Sequence, residues 1–411
     1  MKYLLFSVLF FIVGQLLAPW TALVGVLWLI PLMLRSFNQP WTFVQGFFWG
    51  LLIFGFHLSW LLCMLISHGT GSKGVLVWIM AWLWFACSSG IWLKLTRHSW
   101  IIFTMIFFIF LTKWSLLPFG VLEGYPLINP LISLAVIPEL LQIVYYVGDI
   151  GGLLLIILFS WTIAWSIRHK NWRYGVFSLV YLFPFVCGLG MYSKKNPTMD
   201  GMIFVAPWWY ESKNPMFVGY RIVDGLHEAV IKNQQAHTFV MPESTFCFDL
   251  EQYQHFISIW CDNFDNKNII LGAHRKVAGY YRNSVFMLRD GAIVTCYDKQ
   301  HLMPFVERSA YFLDLLGLAQ LFPVQVDQSC SVDFRDDIIW INQTRYQVFL
   351  CSELFFQAKA TKQCPVLLLW NDSWLCFAWT KKIAMLCIDY FAVKNNVVIV
   401  HASTQGRTNI V

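Results

Sequence analysis

The sequence predicts a polytopic α-helical membrane domain of about seven spans followed by an α/β domain. Three observations carry this. Of 411 residues, 58% are hydrophobic and only 13% are charged, whereas a soluble domain carries about 25% charge. Composition changes sharply near residue 193, from long apolar stretches to short apolar runs separated by helix-like segments. The lysines and arginines of the first part gather in alternate loops between apolar stretches.

A chain this long and this poor in charge cannot hide its apolar residues in one water-facing core, so lipid is the expected solvent for much of it. The net charge of +6 does not form a basic stripe with interleaved aromatics, and membrane topology accounts for it better than a nucleic-acid partner. The 11 cysteines include no C-x-x-C pair. Cys63, Cys87 and Cys187 fall in apolar segments and are expected to be small buried hydrophobes. A disulfide among the outer cysteines is left open. No zinc spacing appears, and no metal and no cofactor are expected.

Met1-Lys2 and the apolar run after them could open a secretory signal. No small-x-small site precedes a polar region, so an uncleaved first span is the expectation. Apolar segments follow at about 3–18, 20–35, 41–67, 73–95, 99–118, 145–167 and 174–192, each near the length a bilayer needs. The stretch 119–144 is broken by Pro126, Pro130 and Pro138 and reads as an outer loop or re-entrant segment. With an inner N-terminus, the inner loops carry Lys2, Arg35, Lys94, Arg97, Arg168, Lys170 and Arg173. The short outer loops carry Lys73 and Lys113, with Lys194 and Lys195 just past the last span. This bias divides the chain into a membrane domain, 1–192, and an extracytoplasmic domain, 193–411. Transport is disfavoured, because the spans hold few ionisable groups beyond His57.

In the second part, runs at 203–206, 238–241, 269–272, 347–350, 366–370 and 397–401 have strand length. Helices are expected at about 217–234, 250–264, 353–362 and 377–395. Segments 284–288 and 293–297 flank Arg289-Asp290-Gly291, a hairpin turn. Strands alternating with helices predict a layered α/β sheet with functional residues at strand ends.

Three strand ends present reactive groups. Glu243 follows Thr238-Phe239-Val240-Met241-Pro242, Lys299 follows the hairpin at Tyr297-Asp298, and Cys351 follows Val348-Phe349-Leu350. A thiol needs a nearby base to become a thiolate. A carboxylate in a partly dry pocket supplies that base, and an ammonium holds the oxyanion of a tetrahedral intermediate. Singly, Cys351 reads as packing, Glu243 as a helix-capping acid and Lys299 as a solvated loop charge. Together, in the order Glu, Lys, Cys, they point to acyl transfer.

Met241-Pro242-Glu243-Ser244, the block from Tyr297 through Lys299, His301 and Pro304 to Glu307, and Cys351-Ser352-Glu353 resemble the three catalytic blocks of the nitrilase superfamily. The wording is most similar to its membrane-bound branch, the apolipoprotein N-acyltransferases. The resemblance implies a nitrilase-like α-β-β-α sandwich, Glu243 as base, Lys299 as oxyanion holder and Cys351 as nucleophile, with Glu307 and Glu353 in support. Asn371-Asp372-Ser373-Trp374 and Asn283-Ser284 look like further family segments. It also implies a ping-pong reaction at the periplasmic face of a bacterial inner membrane. A phospholipid would donate the acyl chain and the α-amine of a lipoprotein would accept it. The apolar segment 311–322 is then either a core helix or a lid admitting acyl chains.

The sequence departs from that branch at Ser352, where an aromatic residue is usual, and after Trp374, where arginines are expected. It ends at Val411, soon after His401-Ala402-Ser403-Thr404, a stopping point that resembles the shortened TraB-type conjugal transfer proteins. A conjugation-associated relative of unknown substrate is therefore the second reading, and a non-catalytic envelope scaffold the third.

Overall fold

The computed structural model describes residues 2–16, 19–67, 71–112, 128–190, 202–206, 215–253, 264, 266–303, 307–308, 317, 337–356, 364–373, 375–404 and 409–410. The chain folds as two compact units. Unit 1 comprises Met1–Ser193, Ser309–Pro323 and Leu375–Asn396; unit 2 comprises Lys194–Arg308, Val324–Trp374 and Val397–Val411.

The described part of unit 1 is helical. Its elements are α1 (Lys2–Leu16), a 3-10 stretch (Pro19–Trp28), α2 (Leu29–Ser36), α3 (Phe43–His57), α4 (Ser59–Ser67), α5 (Gly71–Leu95) and α6 (Trp100–Thr112). They are followed by α7 (Pro130–Leu134), a 3-10 turn (Pro138–Leu141), α8 (Gln142–His169) and α9 (Trp172–Gly188). The order of the second half places one more helix here, α12 (Ala378–Asn395).

Among the described residues two helices, Gly71–Leu95 and Pro138–His169, are long and apolar enough to cross a membrane. The pair Phe43–His57 and Ser59–Ile66, bent by 47°, makes a third if it counts as one span. Of the seven expected spans, two or three thus meet that length and composition among the described residues, and others are shorter or interrupted. The segment at 20–35 opens as 3-10 rather than α-helix, the segment at 41–67 breaks at Leu58, and α6 has 13 described residues, about 20 Å at 1.5 Å per residue. The proline-broken region at 128–144 forms the short α7 and a 3-10 turn; residues 119–127 lie outside the described ones.

Small residues let α3 and α5 approach closely. A Cβ on Gly50 would lie 2.7 Å from Ala86 Cα, and one on Gly46 would lie 2.9 Å from Gly90 Cα, the kind of interface that packs helices where no hydrophobic effect drives them together. Thr42 and Gln45 form a reciprocal capping box at the start of α3. The aromatic centre is Trp28 stacked on Trp49, with Trp92 set edge-on to both. The Trp49 indole donates to Ser7 Oγ and the Ser7 hydroxyl to the Trp28 carbonyl, a buried relay in which Ser7 both accepts and donates.

The expectation for the three cysteines of the apolar segments fails here: Cys87 is only partly buried and Cys187 is exposed. Cys63 is not a simple buried hydrophobe: it is disulfide-bonded to Cys376, 313 residues away and just before α12. A span cysteine looks like packing by sequence alone, because its partner lies in a segment that returns to unit 1 after most of unit 2 has been laid down.

Unit 2 has two sheets. The first runs β1 (Met202–Phe204), β2 (Thr238–Val240), β4 (Asn268–Val277), β5 (Tyr280–Arg289), β6 (Ala292–Asp298), with β3 (Phe246–Asp249) also pairing β4. The second runs β11 (Asn409–Ile410), β10 (Ile399–Ser403), β9 (Val366–Trp370), β8 (Thr344–Leu350), β7 (Ile338–Ile341). Strands β1, β2 and β4 are mutually parallel, as are β8, β9 and β10; the β4–β5, β5–β6 and β7–β8 pairs are antiparallel hairpins.

Period-two alternation sends Val240, Ile270, Val285 and Met287 of the first sheet into one buried cluster with Val348, Leu350, Leu367, Leu369 and Val400 of the second. The alternate residues Phe239, Ile269, Leu271 and Phe286 pack against Ile222, Leu226 and Val230 of α10 (Pro215–Lys232). This is the α-β-β part of the expected sandwich. The short α11 (Glu353–Phe356) follows β8. The helix expected at 377–395 exists as α12, and it belongs to unit 1.

The expected strands are present, with longer bounds for β4, β5, β6 and β8. Strands β3, β7 and β11 were not expected. Of the helix expected at 250–264, the described residues hold a single 3-10 turn, Leu250–Tyr253, and the 311–322 segment lies outside the described residues apart from Gly317.

Candidate active site

Three strands deliver the reactive side chains. Strand β2 ends at Val240, and Pro242 cannot extend the ladder, so the chain turns and presents Glu243. The turn sits directly on β4. A Cβ at Gly272 would lie 2.6 Å from Glu243 Cα and 2.7 Å from the Ser244 nitrogen, so only glycine permits this approach. Strand β6 ends at Asp298, and the Lys299 amide adds one more ladder bond, donating to the Asn283 carbonyl at 2.8 Å. Strand β8 ends at Leu350, after which Cys351 adopts φ +49°. That left-handed conformation is costly for a residue with a Cβ and marks a sharp strand-to-helix turn. The Cys351 amide donates to the Leu369 carbonyl at 2.9 Å, pinning the turn to β9.

All three groups are buried. The Lys299 ammonium donates to Glu243 Oε1 at 3.1 Å and to Glu307 Oε1 at 2.7 Å. Asn283 Nδ2 bridges the same two oxygens, at 2.7 and 3.3 Å. Backbone amides complete the carboxylates: Asn371 N–H donates to Glu243 Oε2 at 3.0 Å and Met303 N–H to Glu307 Oε2 at 2.8 Å. The Cys351 thiol lies within hydrogen-bonding reach of Glu243. The predicted Glu243, Lys299, Glu307 and Cys351 are therefore together in one place.

Electrostatics sets the resting protonation. Burial alone would lower the Lys299 pKa, but the Glu243 and Glu307 carboxylates outweigh it and hold the ammonium well above its ordinary value. Burial pushes the Cys351 thiol well up, Glu243 reinforces this, and Lys299 opposes it. One cation already faces two carboxylates, so a thiolate would add a second uncompensated negative charge to a dry site. The balance of these charges favours the neutral Cys351 thiol.

Glu353 does not touch the reacting groups. Its Oε1 accepts from Tyr297 Oη at 2.9 Å and from the amides of Gln300 and His301 at 2.6 and 3.2 Å, while Oε2 accepts from the Leu350 amide at 2.9 Å. It ties the loop after Lys299 to the strand end before Cys351. Burial raises its pKa to about 7, against the opposing effect of Lys299 and these donors.

In the Asn371-Asp372-Ser373-Trp374 segment, Asn371 Oδ1 accepts from the Ser373 amide and hydroxyl. Asp372 accepts from the amide and hydroxyl of Thr404 beyond β10. Trp374 lies outside the described residues. Sequence reasoning gave Asn283 no role beyond its likeness to a family segment, and overlooked Asp298 and Gly272.

No protein-family model matches the chain, and no curated protein matches it significantly. Solved structures similar to parts of it include a glutamine-dependent NAD+ synthetase from Acinetobacter baumannii, at 11% identity and TM-score 0.37 over 51% of this chain and 43% of that one. This chain thus spans less than half of that synthetase. Nit3 of Saccharomyces cerevisiae, described as a member of branch 10 of the nitrilase superfamily, is similar at 14% identity and TM-score 0.34, over 49% of this chain and 74% of that one. A carbon-nitrogen hydrolase from Helicobacter pylori is similar at 12% identity and TM-score 0.32, over 49% and 76%. At such scores the chemistry has to be argued from the side chains alone.

Proposed function

We propose that this chain is a membrane-bound acyltransferase that carries an acyl group on Cys351. The observation that carries the reading is the buried Glu243–Lys299 pair, with Asn283 on the same carboxylate oxygen and the Cys351 thiol within reach of it. A base, a fixed cation and a thiol are the minimum set for acyl transfer through a thioester.

In the first half-reaction Glu243 takes the thiol proton as Cys351 Sγ attacks the carbonyl carbon of an ester. The oxygen that becomes an oxyanion lies toward Lys299. Collapse breaks the ester C–O bond, and Glu243 returns the proton to the departing alkoxide, which leaves as an alcohol. In the second half an amine attacks the thioester and Glu243 removes its proton. Sγ departs and is reprotonated, leaving an amide. A phospholipid is the donor proposed, and the α-amine of a lipoprotein the acceptor.

Several features support a membrane setting at the outer face of a bacterial inner membrane. Unit 1 holds the two or three helices able to span lipid. Its lysines and arginines favour an inner N-terminus. The Cys63–Cys376 disulfide fits an oxidising compartment such as the periplasm. A bilayer would bring a water-insoluble donor to the enzyme without its passing through water.

The test is intact-mass measurement of protein purified in phosphatidylethanolamine vesicles. An adduct of one acyl chain that is lost in Cys351→Ala and on hydroxylamine treatment is expected. Transfer of that adduct to a diacylglyceryl-cysteine peptide identifies an amine acceptor, whereas decay in buffer alone identifies water. Absence of any adduct with common phospholipids overturns the reading.

A further inference from the structure

One residue before Lys299, Asp298 carries a second charge cluster that takes no part in the chemistry above. Its carboxylate is almost fully buried, yet it accepts from three side chains: Ser284 Oγ at 2.7 Å, Arg282 Nη1 at 2.9 Å and Arg275 Nη1 at 3.1 Å. Arg275 also donates through Nε to Glu251 at 2.8 Å. Two guanidiniums and two carboxylates balance, so the cluster adds no net charge beside the catalytic one.

Its geometry is that of a staple. Arg275 belongs to β4, Arg282 and Ser284 to β5, Asp298 to β6 and Glu251 to the 3-10 turn Leu250–Tyr253. These elements converge at the edge of the sheet from which Asn283 and Lys299 reach into the site. Ser284 and Asp298 are cross-strand partners, and the next ladder bond is the one from Lys299 N–H to the Asn283 carbonyl. The pairing that seats Asp298 therefore also sets the backbone register of both Lys299 and Asn283. The Asp298 carboxylate is engaged by Ser284, Arg282 and Arg275, and its link to the ammonium is the register of β6.

We propose that Asp298 is a positioning residue that fixes the Lys299 ammonium between Glu243 and Glu307 by holding β6 in register through Ser284, Arg282 and Arg275. The proposal rests on the Cys351–Glu243–Lys299 reading of the site. Displacing a reacting group by about 1 Å can cost about 100-fold in rate, so an aspartate that touches no substrate can still govern turnover.

The experiment follows alkylation of Cys351 by iodoacetamide against pH in the full chain, read by peptide mass, alongside acyl-adduct formation in phosphatidylethanolamine vesicles. Lys299 holds down the thiol pKa, so a displaced Lys299 moves the alkylation profile to higher pH. Asp298→Asn is expected to shift the profile upward and slow adduct formation by about tenfold or more per folded molecule. Glu251→Gln, which breaks only the outer pair with Arg275, is expected to leave both near wild type. A lowered melting temperature in Asp298→Asn with an unchanged alkylation profile and adduct rate means that Asp298 only stabilises the fold, and overturns the proposal. Lys299→Met is the separate check on the underlying reading. If that variant leaves the profile unmoved, the assignment of Lys299 fails whatever Asp298 does.

Discussion

Lys299 is the residue on which the site depends most. It is buried and shared by two carboxylates, so its removal leaves Glu243 and Glu307 facing each other across a dry pocket without a cation. Breaking a buried ion pair from one side costs about 3–5 kcal/mol, and Lys299→Met is expected to lower stability by that order in a denaturant titration. Its alkylation profile supplies the chemical readout. In wild type the Cys351 rate is expected to rise with pH past the ordinary thiol range, because burial favours the neutral form. In Lys299→Met, with the nearest cation gone, the rise moves to still higher pH. An unchanged profile would show that the ammonium does not act on the thiol.

The three strand-end residues were legible in the sequence because each follows a short apolar run and each run is a strand. Asn283, Asp298 and Gly272 were not, because their roles depend on partners 14 to 40 positions away in sequence, which no local pattern encodes. The Cys63–Cys376 pairing was illegible for the same reason.

Among the elements, β4 does more than its length suggests. It is the parallel partner of β2 and β3 and the antiparallel partner of β5, and it passes beneath the turn that presents Glu243. Gly272→Ala places a methyl group within 3 Å of three backbone atoms of Pro242, Glu243 and Ser244, none of which can swing aside as a side-chain tip could. The turn must lift, and Glu243 leaves its hydrogen bonds to Lys299 and Asn371. Adduct formation is expected to fall about 100-fold while the circular dichroism of the sheets is kept. Normal activity in Gly272→Ala would mean that the base does not need its present seat.

Short hairpins explain why the second sheet exceeded expectation. Asn342 and Gln343 both take positive φ, at 46° and 68°, the tight two-residue turn that joins twisted antiparallel strands. The Asn-Gln pair is a weaker signal for that turn than Asp290-Gly291, which the sequence reading did find. The expected spans differ in the opposite direction, several being shorter or broken among the described residues. Apolar composition over 20 residues guarantees neither an unbroken α-helix nor a straight one, as Leu58 between α3 and α4 shows.

For the whole molecule, the two units are interleaved along the chain rather than strung end to end. Unit 1 recovers α12, which donates from Lys394 and Tyr390 to Asp149 on α8, stacks Trp379 on Phe56 of α3 and is preceded by the bond from Cys376 to Cys63. A cross-link closing 313 residues stabilises by at most about 5 kcal/mol through loss of unfolded-chain entropy. Cys63→Ser is expected to lower the thermal midpoint and abolish the shift in mobility between reduced and unreduced gels. Cys87→Ser, at a free cysteine, should do neither. An unreduced-gel shift that survives Cys63→Ser would mean that this pair is not the cross-link.

The path β9–α12–β10 also dictates an order of events during synthesis. Strands β9 and β10 are parallel, so a crossover must join them, and the crossover here contains α12, which packs mainly on α8, α7 and the 3-10 turn Pro138–Leu141 of unit 1. The last parallel strand of the second sheet leaves the ribosome only after α12. The helix between β9 and β10 packs against segments made more than 200 residues earlier, and Asp372, which precedes it, accepts from Thr404, which follows it. The second sheet is thereby completed beyond β9 only by chain made after the last helix of unit 1.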